Sequence, residues 1–305
     1  MDPAEQRIIQ HAWKYGHFSN PKYPETQAIK GEDLDKLTLV HPLAVKAIAS
    51  LQESDANLET LAQLAHGRAL AIDGEVGPAT MALVELPRCG LPDHASSEYG
   101  EAGSGGWSDC DPEQDHEHEV VIKFDDRQAP AKWQGYMPEV KAAAVKISRD
   151  MGLAPRYVDW DSDEPYQSSV VFKFISGGVI GYYYLPQGSG CRRVPQGALD
   201  TSYQPDVQMA SLLWIHEGLG HGVGLPHTRG GVMNPSIMRT AVTWRGDPSE
   251  GLMRRLYGGV PLGPIDPDDP DEPDEPIVLF SYKSKRAGEL IRLTSGDANG
   301  GGWEN

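Results

Sequence analysis

No apolar run among the 305 residues approaches the roughly 20 consecutive positions a bilayer span requires, so an integral membrane protein is excluded. The opening residues, MDPAEQRIIQ, lack both a basic start and an apolar stretch, so no standard secretory signal is visible and the compartment stays unknown. Positive charge is scarce. Lys and Arg number 27 against 44 Asp and Glu, a formal net charge of −17. Phosphate backbones and anionic membranes are held by clustered Lys and Arg, so both drop out as partners. Cysteine is rare and odd in number: Cys89, Cys110 and Cys191 allow one bridge in an oxidising compartment and leave one thiol over. Hydrophobic residues at 39% and aromatics at 8% are ordinary for a soluble globular chain, here long enough for two folded units and their linkers.

The pattern along the chain divides it. Residues 41–51 carry Leu43, Ala44, Ala47, Ile48 and Leu51 at helical spacing, and residues 78–86 open on a first-turn proline and continue with helix formers. Residues 96–115 are rich in Gly, Ser and acids, which predicts an exposed linker. Alternation from Glu119 to Phe124 predicts a strand, and a helix is expected from Pro138 to Met151, closed by Gly152. Residues 168–175 and 179–185 are β-rich runs flanking Ser176-Gly177-Gly178, and Asp206 starts a helical run reaching His221. This order predicts an α+β domain with a twisted mixed sheet. The string DPDDPDEPDEP at 266–276 holds seven acids and four prolines, which cannot bury apolar surface and reads as an extended spacer. Carboxylates suit Ca²⁺, but this spacing builds no convergent cage, so calcium is unsupported. Residues 277–305 contain one strand-like run, 277–282.

Residues 216–227 read HEGLGHGVGLPH, with three of the ten histidines and one carboxylate in twelve positions. Three neutral imidazoles converging on one point make a tetrahedral Zn²⁺ site with an open position, where bound water acidifies to a pKa of about 7. A neighbouring carboxylate, Glu217, then serves as proton acceptor and donor. His116 and His118 flank acids in a polar stretch and are expected to be solvated.

These residues resemble known families. His221 to His227, with Gly224 midway, is similar to the H-x-x-G-x-x-H half of the metzincin zinc motif, and Met233 in Gly-Val-Met-Asn-Pro-Ser resembles the methionine turn beneath the metal in that family. Pro87-Arg88-Cys89-Gly90-Leu91-Pro92-Asp93 resembles, at every fixed position, the cysteine switch of the matrixins. Asp73-Gly74-Glu75-Val76-Gly77-Pro78-Ala79-Thr80 resembles the signature of the three-helix peptidoglycan-binding-like domain. The resemblance implies a helical prodomain over 1–93 and a matrixin-like peptidase over 118–262; composition adds a linker over 94–117, an acidic linker over 263–276 and a tail over 277–305. It implies a zymogen of a zinc endopeptidase, with His216, His221 and His227 as ligands, Glu217 as base, and Cys89 capping the metal until the arm is removed. Arg88 and Asp93 would pair to hold that arm. Residues 179–186 look like the edge strand along which matrixin substrates lie, and residues 198–203 like the strand and turn before the active-site helix. No histidine lies between His118 and His216, and Tyr182 stands where a second-zinc ligand would fall, so one zinc is expected. The implied partner is a protein or peptide substrate, with peptidoglycan as a second candidate; secretion and a monomer are the family expectation.

The chain departs from the family by one residue: His216 and His221 are five apart, where the motif H-E-x-x-H spaces them by four. Side chains five apart on a regular α-helix are about 140° out of phase. Either a π-bulge absorbs the extra residue, eased by Gly218 and Gly220, and His216 stays a ligand. Or the helix stays regular, and Glu217 joins His221 and His227 with no base left over. The second alternative carries a different function, a cell-wall-binding protein with a weak or inactive peptidase fold.

Overall fold

The computed structural model describes residues 3–54, 70–94, 119–124, 127–159, 163, 166, 168–183, 197–228, 230–236, 244–257, 278–283 and 290–294. The expected spacer at 263–276, His116, His118, Cys110, Cys191 and nearly all of the 94–117 linker lie outside them. The architecture is mixed, helices packed with one mixed sheet, compatible with an α+β fold. No helix among the described residues is long and apolar enough to cross a membrane.

The N-terminal part is helical. Helix α1 (Pro3–Lys14), three short 3₁₀ turns, α2 (Pro42–Ser54) and α3 (Pro78–Glu85) follow in order. Their apolar stripes close small cores: Ile9, Ala12, Phe18, Leu34, Leu37 and Ala47 in one, Ile8, Ile48, Leu51 and Val84 in another. The turn before α3 is tied to α2 by Gln52, whose Oε1 accepts the Gly74 N–H at 2.8 Å and whose Nε2 donates to the Glu75 carbonyl at 2.8 Å. Gly16, at φ 80°, lets the chain pass the His94 carbonyl, which any Cβ there would strike.

Strands β1 (Arg88–Cys89), β2 (Glu119–Phe124), β3 (Ala154–Asp159), β4 (Ser168–Lys173), β5 (Val179–Tyr183) and β6 (Gly197–Asp200) form one sheet in the order β1-β5-β6-β4-β2-β3. Only β5 and β6 are antiparallel neighbours. Helix α4 (Ala131–Asp150) crosses between β2 and β3. The sequence pattern places its start at Pro138; the helix instead begins seven residues earlier and keeps that proline inside. The reason is packing: Trp133 and Met137 continue the buried stripe of Val140, Ala144 and Ile147, and burying an indole outweighs the roughly 3 kcal/mol of an interior proline. Gly152, at φ 77°, ends the helix, and the Leu153 N–H reaches back to the Ser148 carbonyl at 2.9 Å.

Helix α5 (Val207–Trp214) and the π-helix Ile215–His221 run across the same core, with Trp214 stacked on Phe124 at 4.4 Å. Helix α6 (Glu250–Tyr257) follows, and β7 (Val278–Lys283) pairs with β8 (Leu290–Thr294) as a separate antiparallel hairpin. The second strand of that hairpin has no counterpart in the sequence reading.

Candidate metal centre

The helix that carries the centre starts conventionally and then widens. The Asp206 carboxylate caps it by accepting the Met209 N–H at 2.9 Å. After Trp214 the backbone bonds lengthen by one residue: the Gly222 N–H reaches the Glu217 carbonyl at 3.2 Å, and the Leu225 N–H the Gly220 carbonyl at 3.0 Å, each five residues back. An i→i+5 ladder stacks His221 over His216 as an α-helix would stack residues four apart, and their ring centroids lie 4.7 Å apart. The glycines make room for the wide turn. A Cβ on Gly218 would sit 2.8 Å from Val170 of β4, and one on Gly220 only 2.1 Å from the Met233 sulfur. Gly224, at φ 87°, then turns the chain so that His227 comes back to 4.9 Å from the His221 ring and 5.4 Å from His216.

Each ring is oriented through Nδ1. His216 Nδ1 donates to the Val232 carbonyl at 2.7 Å and His221 Nδ1 to the Leu225 carbonyl at 2.7 Å. His227 Nδ1 donates to Asp93 Oδ1 at 3.0 Å. Two of those partners are carbonyls and the third is a carboxylate, so each accepts only. A neutral imidazole has one N–H, so all three Nε2 atoms present lone pairs. His221 Nε2 and His227 Nε2 face each other at 3.3 Å, and the buried His216 Nε2 has no hydrogen-bond partner. Burial, then the neighbouring His227, lowers the pKa of His216 to about 3, and burial with both neighbours holds His221 well below the ordinary histidine value. Converging lone pairs on neutral rings are the arrangement a cation satisfies.

The fourth donor comes from the other end of the chain. Strand β1 lies along the free edge of β5 and runs parallel to it, with the Gly90 N–H donating to the Gly181 carbonyl at 2.7 Å. On its other side the Cys89 N–H donates to the Pro235 carbonyl at 3.0 Å, and Arg88 bridges Ser236. Clamped between these two walls, Cys89 is fully buried with Sγ 3.5 Å from His221 Nε2. The donor atoms of Cys89, His216, His221 and His227 all lie within 4.8 Å of one another, a set able to hold a metal ion. Burial, reinforced by Glu217, raises the Cys89 thiol well above its ordinary value, while the Leu91 N–H, 3.3 Å from the sulfur, favours the thiolate. A bound cation would reverse the burial effect, since coordination deprotonates a thiol.

The arm is anchored by a buried ion pair. Arg88 Nη2 meets Asp93 Oδ1 at 2.5 Å, with both side chains nearly inaccessible, and the guanidinium lies 3.6 Å from the centre of the Tyr15 ring. His17 Nε2 stands 3.3 Å from the other Asp93 oxygen, and the Asp93 N–H donates to the Tyr15 carbonyl. Burial alone would raise the Asp93 carboxyl; the Arg88 charge and the two histidines hold it well below the usual carboxylate range.

Glu217 is fully buried, and neither carboxylate oxygen has a hydrogen-bond partner by geometry. Burial raises it to about 8, an effect softened by the nearby Cys89 thiol. It is His216, not Glu217, that joins the converging donors. Gly181 leaves space for the carboxylate: a Cβ there would come within 2.8 Å of Glu217 Oε1. Met233 is buried beneath Gly220, and its turn is held by Asp247, whose Oδ2 accepts the Val232 N–H at 2.7 Å and whose Oδ1 accepts the Ser249 N–H at 2.8 Å. Sequence reasoning missed Asp247, His17, Tyr15 and Gly181. Gly181 lies in the run 179–186 read as an edge strand, but its place beside Glu217 was not read from it; the other three sit in no motif, and only the fold brings them to the centre. No protein-family model matches the chain, and no curated protein matches it.

Proposed function

We propose that this chain is the zymogen of a zinc-dependent endopeptidase of the matrixin type, capped by its own Cys89. The observation that carries the proposal is the fourfold convergence itself, with an unpaired carboxylate beside it. Tetrahedral zinc with Zn–N of about 2.0–2.1 Å and Zn–S of about 2.3 Å separates two ligand nitrogens by about 3.3 Å and nitrogen from sulfur by about 3.6 Å. The corresponding distances here are 3.3 Å for His221 to His227 and 3.5 Å for Cys89 to His221. One thiolate and three imidazoles suit zinc, where calcium takes oxygen ligands, so zinc is the metal proposed for this centre.

Bound zinc would supply Lewis acidity, making water nucleophilic near neutral pH and polarising a carbonyl. The chain's own groups do the rest. With Cys89 withdrawn, the space beside Glu217 opens, and its carboxylate takes a proton from the attacking water and passes it to the departing amine. In the capped chain burial raises this carboxyl, the direction suited to a group that both takes and gives a proton near neutrality. Withdrawal of β1 also frees the β5 edge, where the Gly181 carbonyl and its neighbours pair with an extended peptide. The substrate is therefore a polypeptide in extended form, and the N-terminal helical unit serves as an inhibitory prodomain.

The test compares the purified full chain before and after limited proteolysis, with zinc content measured on each and an unfolded protein as substrate. Cleavage that appears only after processing and vanishes in Glu217→Ala supports the proposal. Zinc-loaded, processed chain that cleaves nothing sinks it and favours a binding role, which peptidoglycan pull-down with the full chain then reads directly.

A further inference from the structure

The switch arm touches the metal centre twice, and only one contact is a cap. Besides Cys89 over the donors, Asp93 accepts the His227 Nδ1 proton at 3.0 Å, with both side chains 3% exposed. Carbonyls of the centre's own surroundings do this for the other two rings: Val232 for His216 and Leu225 for His221. His227 alone takes its orienting acceptor from the arm. A carboxylate on the far nitrogen fixes the tautomer, aims the lone pair and makes the imidazole a stronger donor.

From this we infer that Asp93 is a positioning residue for the third ligand, so the docked arm strengthens metal binding as well as blocking the open position. Removing the arm takes away a sulfur donor and, in the same motion, the orienting partner of His227. The full chain therefore holds its metal more tightly than the processed form, by more than the sulfur accounts for. Asp93 is placed for this by the helical unit: its carboxylate is held by Arg88, which packs on Tyr15, and by His17, three residues past the end of α1. The docking of that unit and the affinity of the centre are thus linked through one side chain.

The inference rests on the zinc reading above. Its test uses the full chain carrying Cys89→Ala, which deletes the sulfur and leaves the carboxylate, and compares it with Cys89→Ala/Asp93→Asn and Cys89→Ala/Arg88→Gln. Zinc affinity is measured by competition with a chromophoric chelator, and docking of the arm by hydrogen exchange of the residue 89 and Gly90 amides. Loss of an outer carboxylate partner costs about 10- to 100-fold in metal affinity, and that loss is expected for Asp93→Asn. Arg88→Gln, which breaks the same ion pair but keeps the carboxylate, should retain more affinity at equal amide protection. Affinity within threefold across all three chains overturns the inference, and so does a loss that follows amide protection alone whichever residue is changed. If the wild-type full chain binds no zinc, the functional reading itself fails and this inference with it, an outcome distinct from tight, Asp93-independent binding.

Discussion

Breaking the buried Arg88–Asp93 pair from one side should spring the arm, and the two sides should not be equivalent. Both charges are almost wholly removed from water. Deleting one member of such a pair costs about 3–5 kcal/mol because the other is stranded, which is about 160-fold to about 5,000-fold in an opening equilibrium. Arg88→Met strands a carboxylate that still has His17 at 3.3 Å and His227 at 3.0 Å, and a histidine can take up a compensating proton. Its effect belongs at the low end. Asp93→Asn strands a guanidinium that cannot deprotonate, and neither the Tyr15 face, the Cys89 carbonyl at 3.4 Å nor the His11 ring at 3.5 Å supplies a countercharge, so its effect belongs at the high end. The double substitution removes both charges and should lie closer to wild type than either single change. The assay is the alkylation rate of Cys89, localised by mass spectrometry, in metal-depleted full chain, since a fully buried thiol reacts only on opening. Single substitutions that label within tenfold of wild type, or a double whose logarithmic effect equals the sum of the singles, would refute the reasoning.

Three further outcomes follow from the packing. On the function proposed above, Gly181→Ala places a methyl 2.8 Å from Glu217 Oε1, so the processed chain should lose about 100-fold in kcat with zinc content unchanged, the usual cost of misplacing a reacting group by about 1 Å; an unaltered kcat denies Glu217 the role of base. Asp247→Ala orphans the Val232 and Ser249 N–H groups, each worth about 1–3 kcal/mol, so the urea midpoint should fall and zinc retention with it, because the Val232 carbonyl orients His216; a midpoint equal to wild type removes Asp247 as a support. Pro138→Ala restores an interior helical N–H in α4 and should stabilise by about 2 kcal/mol, the proline penalty less the entropy regained by the unfolded chain, whereas a lower midpoint would show the proline to be accommodated without cost.

What was legible in the sequence is what depends on neighbours in the chain. Helix α2, helix α3, strand β2 and the start of a helical run at Asp206 follow from patterns within a dozen residues. Gly152 and Gly224 sit at the positive φ their positions call for. The start of α4 was misplaced because proline is a local signal and the burial of Trp133 is not. The long-range contacts were illegible for the same reason. Asp93 is visible as the last residue of a motif and as the expected partner of Arg88, but its contact with His227 spans 134 positions. Asp247 belongs to no motif at all, and it reaches the centre only because the turn at Gly231–Asn234 folds onto it.

The extra residue between His216 and His221 shows how local and long-range constraints meet at one place. Read on its own, a spacing of five argues against a shared metal, because a regular helix would point the two rings apart. Two glycines beside it lower the cost of a wide turn but do not require one. What requires it is the surroundings: Val170 on one side and Met233 on the other leave room at positions 218 and 220 for hydrogen only, while the Val232 and Leu225 carbonyls each wait for one imidazole N–H. A regular helix would satisfy at most one of those carbonyls and would turn the other ring away. The π-helix satisfies both and brings the lone pairs together, so the insertion is absorbed in the backbone and the donor set is kept. Glu217, moved off the converging side by the same widening, is left beside the centre rather than in it.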